Sequence, residues 1–545
     1  MSSERQLTLY RNGSVYSTAD PLATAMLVEG STVAWVGTEQ AAASIADSTM
    51  RIVDLDGAVV TPGFVDSHTH LSDTGLALRS LDLSSVRSAA DLLDAVAHAA
   101  QGTEGTVYGH GWDDSTWSNP VLPTVEELER ASGGRHAILT RVDVHSALVS
   151  PALAASAGLG STAVQGWDGG PVASREALGA VRVTARPSDP KEIARLHEAA
   201  LRHAAARGYV AVVEQAAPQI AGVEDLRILL GEASGEFRRP EVFAYWGELV
   251  ESVDEARAVL ESLGVHVHGL AGDLSIDGSL GSRTALLSAD YDDAPGQRGT
   301  AYLSAAQVGQ HLAACSELGI QGGFHVIGDA ALGIALEGLQ QAVDRVGISA
   351  VRAAGHRLEH VELASPEDIA ALAAHSVTVS AQPLFDAAWG GEGGLYSRRL
   401  GRRWEGMNPF ASFASAGVPV CFGSDSPVCA LDPWASVAAC LGHSTPSERI
   451  SARAAFIGHT RAGWRALRHR DPLMGQLVPG APASFAVWRV DELMVQVADE
   501  RVQAWSTDPR ARTPLLPALD TENPPSCLAT VHRGNELFWS DEFGA

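Results

Sequence analysis

Cysteine is scarce in this chain of 545 residues: there are five (Cys315, Cys421, Cys429, Cys440, Cys527), an odd number, widely scattered and without a Cys-x-x-Cys pair. That excludes a disulfide framework and a thiolate zinc site, and it argues for a reducing compartment. Long apolar runs are also missing; none approaches the roughly 20 residues that cross a bilayer, and Met1 to Ser17 has no apolar stretch behind basic residues. The expectation is a cytoplasmic protein. Positive charge is short as well: Lys plus Arg number 39 against 65 Asp plus Glu, a net charge of -26. Such a surface repels phosphate backbones and anionic headgroups, so nucleic-acid and membrane partners are not expected. There is no Gly-x-Ser-x-Gly nucleophile elbow, and Gly158–Ala163 has the outline of a dinucleotide fingerprint without the strand that should precede it.

What is present suits a large enzyme. Hydrophobic residues make up 46% and charged residues 19%, enough for a large core with attached modules. Short β-rich runs separated by turns (Leu7–Tyr10, Ala25–Val28, Thr32–Val36, Arg51–Leu55) predict a small β-module over residues 1–60. Phe485–Val490, Val495–Val497 and Ala529–Arg533 predict a second over 477–545, and the two could pair as one sandwich. Between them, over 61–476, apolar runs alternate with Ala/Leu/Glu-rich helical stretches, the pattern of βα units on a parallel sheet. Eight strands are predicted, the number that closes a (β/α)₈ barrel: Gly63–Ser67, Tyr209–Gln215, Glu241–Trp246, Leu270–Asp277, Gln321–Val326, Arg357–Val361, Val377–Gln382 and Val418–Ser424. Residues 77–190 are too many for one crossover, so an inserted subdomain is expected there, including Val107–Asp114, a helix Glu126–Ala131 and the strand-like Ala137–His145.

The first predicted strand ends in Ser67-His68-Thr69-His70. Alternate side chains of a strand share a face, which puts His68 and His70 about 6.6 Å apart along it, close enough to converge on one metal ion. His325, His360 and Asp425 each sit at the C-terminal end of another predicted strand, the end where barrels carry their active sites. Five metal-competent side chains from four strands would then share one mouth. His266 and His268 repeat the His-x-His spacing but precede the fourth strand, so they belong at the opposite rim.

The chain resembles the amidohydrolase superfamily, and within it amidohydrolase family 3, the branch that includes N-substituted formamide deformylases. The likeness runs almost end to end and rests on Pro62–His70, Gly109–Asp113, Asp277–Thr284, Phe324–Ala330, Leu358–His360, Ser380–Pro383 and Gly423–Pro427. It implies a barrel with a composite β-sandwich, and His68, His70, His325, His360 and Asp425 as ligands of a divalent metal, with zinc the usual expectation. Many relatives carry on the fourth strand a lysine whose carboxylated form bridges two metals. Here Asp273 aligns with it, which leaves the count at one or two ions, and Glu214 is a second carboxylate candidate.

The expected reaction is hydrolysis of a C–N bond of amide or N-formyl type in a small molecule, by water that the metal activates. Asp425 would serve as base and then acid, and His360 or His325, or a second metal, would stabilise the oxyanion. Trp112, Asp113, His145, Gln382 and Arg283 are candidates for substrate binding. Trp389–Arg403, with Arg398, Arg399, Arg402 and Arg403, could form a flap carrying cations for an acidic substrate. Two other functions stay open, deamination of a heterocyclic amidine and metal or ligand binding without catalysis, although the Glu that deaminases place after the fifth-strand His is absent from Val326-Ile327-Gly328-Asp329. A homo-oligomer also stays open.

Overall fold

A computed structural model describes residues 7–102, 105–160, 164–231, 238–496, 505–506, 514–519 and 522–543. Eight strands dominate its centre: β1 (Phe64–Thr69), β2 (Tyr209–Ala216), β3 (Glu241–Trp246), β4 (Gly269–Leu270), β5 (Gln321–Val326), β6 (Arg357–His360), β7 (Thr378–Ala381) and β8 (Val420–Phe422). They form a three-stranded sheet, β3-β2-β1, and a five-stranded sheet, β4-β5-β6-β7-β8, with every pairing parallel. Backbone hydrogen bonds also cross both gaps between these sheets. Asp425 N–H donates to the His68 carbonyl (2.8 Å) and His70 N–H to that of Ser426 (2.9 Å). On the other side, His268 N–H donates to Ala244 (2.7 Å) and Ala271 N–H to Trp246 (3.1 Å).

β2 explains why these segments are strands. Its sequence, Tyr-Val-Ala-Val-Val-Glu-Gln-Ala, is buried at every position, as a β-branched run covered on both faces should be. Helices such as Ala305–Leu318, Asp329–Val346 and Pro366–His375 supply the cover, and one core joins strand residues Phe64, Val212, Phe324 and Val379 to helix residues Leu312, Leu339 and Leu372. Two of these helices start at capping boxes, Ser304 with Gln307 and Ser365 with Asp368, which satisfy backbone N–H groups that the first turn leaves free.

The fourth strand departs from expectation. Instead of running over Leu270–Asp277, it stops at Leu270 and pairing resumes only at Ser275, opposite His325. Gly272, at φ 83°, turns the chain out of the pleat. Consequently Asp273 sits on an irregular excursion at the strand's C-terminal end.

Residues from the two ends of the chain share a sheet in the order Ser14–Val15, Val59–Pro62, Phe485–Arg489, Ser526–His532, Asn535–Trp539. A second sheet (Thr32–Gly37, Ala25–Glu29, Leu7–Arg11, Arg51–Asp54) packs with it through a common cluster that includes Tyr10, Met26, Val60, Phe485 and Val531. Of the predicted strand Val495–Val497, Val497 lies outside the described residues, as do residues 161–163 of the glycine-rich stretch. Between β1 and β2 lies a five-stranded sheet that includes Val107–Trp112, Ala137–Arg141 and Ser146–Val149. The run predicted as one strand over Ala137–His145 is broken at Arg141, where a turn with Val144 at φ 51° reverses the chain into an antiparallel partner. The five cysteines are all free, and no helix among the described residues is long and apolar enough to cross a membrane.

Candidate metal centre

The C-terminal ends of the parallel strands bring together residues as far apart as His68 and Asp425. Three overlapping groups of donor atoms have all members within 4.8 Å of one another: His68 with His360 and Asp425, His68 with His70 and Asp273, and Asp273 with His325 and His360. Asp425 Oδ1 lies 3.3 Å from His68 Nε2 and 3.2 Å from His70 Nε2. Asp273 spans the cluster, with Oδ2 3.1 Å from His70 Nε2 and Oδ1 3.5 Å from His325 Nδ1 and 3.6 Å from His68 Nε2. The excursion at Gly272 thus compensates for the short reach of an aspartate. The chain's single lysine, Lys191, is exposed at the start of helix Pro190–Ala205 and takes no part in the cluster.

Each of three imidazoles is held from behind. His68 Nδ1 donates to Glu359 Oε2 (2.8 Å), His360 Nδ1 to Gln382 Oε1 (2.8 Å), and His325 Nε2 to the Gly278 carbonyl (3.2 Å). A ring that donates through one nitrogen turns the lone pair of the other toward the cluster, the arrangement in which a histidine binds a metal. In these tautomers His325 and His360 have no inward N–H for an oxyanion, so they fit as ligands better than as the electrophiles expected from sequence. Gln382 positions His360 and stands behind the ring. His68 Nε2, Asp273 Oδ1 and Asp425 Oδ1 are buried without a hydrogen-bond partner, and lone pairs facing lone pairs in a buried space need a cation between them. The donor set, nitrogen and carboxylate oxygen only, fits a divalent metal.

In the metal-free protein a proton on His68 and one on His70 supply that positive charge, in the place a divalent ion would take. Burial opposes charge on His68, but Asp425 and Asp273 outweigh it and lift its pKa to about 10. His70 is raised well above its ordinary value by Asp273 and Asp425, again against burial. Burial would raise the Asp425 carboxyl, yet His68 and His70 hold it well below the usual carboxylate range. His360, by contrast, is depressed to about 3 by burial, with His325 and His68 adding to the effect. Backbone strain also collects here. His360 (φ 71°), Val361 (φ 50°) and Asp425 (φ 55°) adopt left-handed conformations, each costing about 1 to 2 kcal/mol, which the surrounding fold must supply.

A cavity of about 780 Å³ opens beside His70 and Asp273. His145 lines it and also a small recess shared with His325, His360 and Asp425; its ring centroid is 5.4 Å from that of His325. The other substrate candidates lie elsewhere. Trp112 is buried in the core of the inserted segment with its indole N–H on the Leu139 carbonyl, and Asp113 pairs with Arg141 at 2.6 Å. Arg283 pairs with Asp293 at 2.8 Å. Glu214 is absent from the three donor groups; its Oε2 accepts the Leu71 N–H (2.7 Å) and so caps the helix after β1. The flap arginines are engaged as well. Arg399 is buried against Asp293 and the carbonyls of Leu280 and Gly281, Arg403 holds the Asp290 carbonyl and Arg398 the Ser115 carbonyl, while Arg402 lies in solvent beside Glu405. Arg398, Arg399 and Arg403 thus brace the segment, while Arg402 lines neither cavity beside the donor groups. His266 is exposed and His268 packs on Phe243, before β4 and apart from the donor groups.

Sequence reasoning missed Arg175 and Arg182, which line the 780 Å³ cavity with Leu178 and Gly179. Their spacing of i, i+3, i+4, i+7 on helix Arg175–Ala185 is one face of a helix, a signal that was available in Arg-Glu-Ala-Leu-Gly-Ala-Val-Arg.

Parallel strands that gather imidazoles and carboxylates at one rim put the chain in the class of metal-dependent hydrolases, and comparison with known proteins agrees. The family model described as "Amidohydrolase family" matches residues 51–538. The chain belongs to that family. It is 26% identical over 517 residues to Protein LONG AFTER FAR-RED 3 of Arabidopsis thaliana, covering 88% of this chain and 86% of that one. It is 24% identical to the N-substituted formamide deformylase of Arthrobacter pascens, covering 76% and 80%. Among solved structures it is similar to a metal-dependent hydrolase from Pyrococcus furiosus, with a TM-score of 0.69 and 25% identity over 88% of this chain and 98% of that one.

Proposed function

We propose that this protein hydrolyses a C–N bond of amide or N-formyl type in a small molecule, using a divalent metal, zinc by preference, held by His68, His70, Asp273, His325, His360 and Asp425. The observation that carries this reading is the cluster of four imidazoles and two carboxylates, whose donor atoms fall into groups within 4.8 Å, beside a cavity of about 780 Å³, a size that suits a small-molecule site. The likeness to a deformylase of N-substituted formamides favours the C–N bond. We read the eight parallel strands as one closed (β/α)₈ barrel, supported by the hydrogen bonds across both sheet gaps, and the two terminal sheets as a composite sandwich. A cytoplasmic location without nucleic-acid or membrane partners is in keeping with the charge.

When bound, the divalent ion lowers the pKa of a water toward about 7 and polarises the substrate carbonyl. Asp425, ionised at neutral pH, accepts the proton of the attacking water and returns it to the departing nitrogen. Glu359 and Gln382 keep the imidazoles of His68 and His360 in the binding tautomer. His145, which burial and then the nearby His325 depress to about 4, is neutral, and in that state it has one N–H to offer the carbonyl oxygen as charge develops. Elemental analysis of the purified protein, with a screen of N-formyl, N-acyl and cyclic amides, tests the reading. An amine plus formate or carboxylate is the expected product. Ammonia released from a heterocycle, or protein that carries no stoichiometric divalent metal, would overturn it.

A further inference from the structure

The inserted segment lays helix Arg175–Ala185 over the large cavity, and the face it presents combines two guanidinium groups with an apolar side chain, Leu178. Arg182 is the informative residue. Its Nη2 donates to the Val144 carbonyl, and among the described residues no carboxylate lies within ion-pair distance of it. The nearby Asp73 is taken instead by Arg186. Arg175, at φ 50°, reaches Thr300 Oγ1 (2.7 Å) at the cavity's rim, where Glu176 is exposed beside it. Asp73 and Asp273 share the cavity wall with Arg182 and act on it without closing to an ion pair, so its guanidinium can still receive an anionic group of a ligand. The same wall includes Leu178, Ile220 and Leu274, an apolar patch next to the charge. Burial lowers the Arg182 pKa; Asp73 opposes it, Arg186 adds to it, and Asp273 and Asp143 oppose it further.

We infer that the substrate is an anionic amide, an N-formyl or N-acyl amine bearing a carboxylate and an apolar group, with the carboxylate bound by Arg182, Arg175 at the rim and the apolar group against Leu178 and Ile220. This rests on the C–N hydrolase reading for the scissile bond but not for the anion site.

The test uses zinc-loaded wild type, Arg182→Met and Arg182→Lys with N-formyl-leucine and its uncharged analogue N-formyl-leucinamide, in both hands, following formate release. Binding of leucine and leucinamide is measured separately by calorimetry. Wild type is expected to favour the acid in kcat/KM by at least about 10-fold. Arg182→Met should lose about 10- to 100-fold on the acid while staying within about twofold on the amide, and Arg182→Lys should recover part of the loss. Equal use of acid and amide by wild type, or an equal loss on both in Arg182→Met, overturns the inference and leaves the hydrolase reading standing. If neither compound is cleaved, the wider amide screen decides the hydrolase reading, and the binding data decide the anion site: tighter, Arg182-dependent binding of leucine than of leucinamide upholds it, and equal binding overturns it.

Discussion

Replacing Glu359 with glutamine tests the buried support of the metal centre without touching a ligand. Glu359 is fully buried; Oε2 accepts from His68 Nδ1 at 2.8 Å, and the two carboxylate oxygens accept from Arg357 Nε (2.5 Å) and Nη2 (2.7 Å). Arg357 is fully buried as well and stacks over Tyr245, 4.7 Å from the ring centroid. Glutamine preserves the shape but has one acceptor, so one of the two neighbours must face an NH₂ group, and the guanidinium loses its counter-charge. Breaking a buried pair in this way costs about 3 to 5 kcal/mol, a large share of a typical stability of about 5 to 15 kcal/mol. Loss of the carboxylate behind His68 should weaken metal binding by about 10- to 100-fold. Thermal unfolding of the metal-free protein measures the first effect and chelator competition the second. The pH dependence is a further check. Burial opposes charge on Glu359, but Arg357 and then His68 bring its pKa down to about 2. The stabilisation is therefore complete above the unfolded value of about 4.5 and is lost as pH falls from there toward 2, a loss the glutamine variant should lack. A variant that melts with the wild type and holds zinc equally well would refute the reasoning.

Other substitutions separate the remaining roles. Asp425→Asn should lower kcat by about 100- to 10,000-fold, the usual contribution of a general base; retention of near-normal activity would remove Asp425 from the proton path. Asp273→Ala should reduce the metal content measured by mass spectrometry, since Asp273 belongs to two of the three donor groups; unchanged stoichiometry would show that the imidazoles and Asp425 suffice. His311, His356 and His459 are held neutral at pKa values of about 4, 3 and 3, chiefly by burial. Unfolding lets them take up protons, so stability should fall as pH drops below about 6.5, and these three contribute a slope of about 4 kcal/mol per pH unit. His459→Gln should flatten that slope by about one proton, as measured by denaturant titration between pH 6.5 and 4.5; an unaltered slope would refute the assignment.

Much of the centre could be read from the sequence because strands have a period of two and catalytic groups sit at strand ends. His68, His70, His325, His360 and Asp425 all followed from that rule, and the structure brings them together with Asp273. What could not be read depends on backbone excursions and tertiary pairing. The break at Gly272 turned an eight-residue strand into a bulge, and a glycine within an apolar run gives only a weak hint of it. The flap arginines looked available because sequence does not reveal which carbonyls and carboxylates will surround them. Arg182 went unnoticed for the converse reason: an arginine on an amphipathic helix looks like a solvated residue until the fold places a cavity against it.

Strand Val59–Pro62 leads, after one glycine, into β1 with His68 and His70, and its sheet partner Phe485–Arg489 comes from the far end of the chain; Trp488 Nε1 bonds Thr61 Oγ1 across 427 positions (3.0 Å). During synthesis at about 5 to 20 residues per second, the segment that anchors the first two histidines waits roughly 20 to 90 s for its neighbour to leave the ribosome. A nascent chain stopped short of Phe485 would contain all six donor residues and still lack the strand that fixes where two of them point.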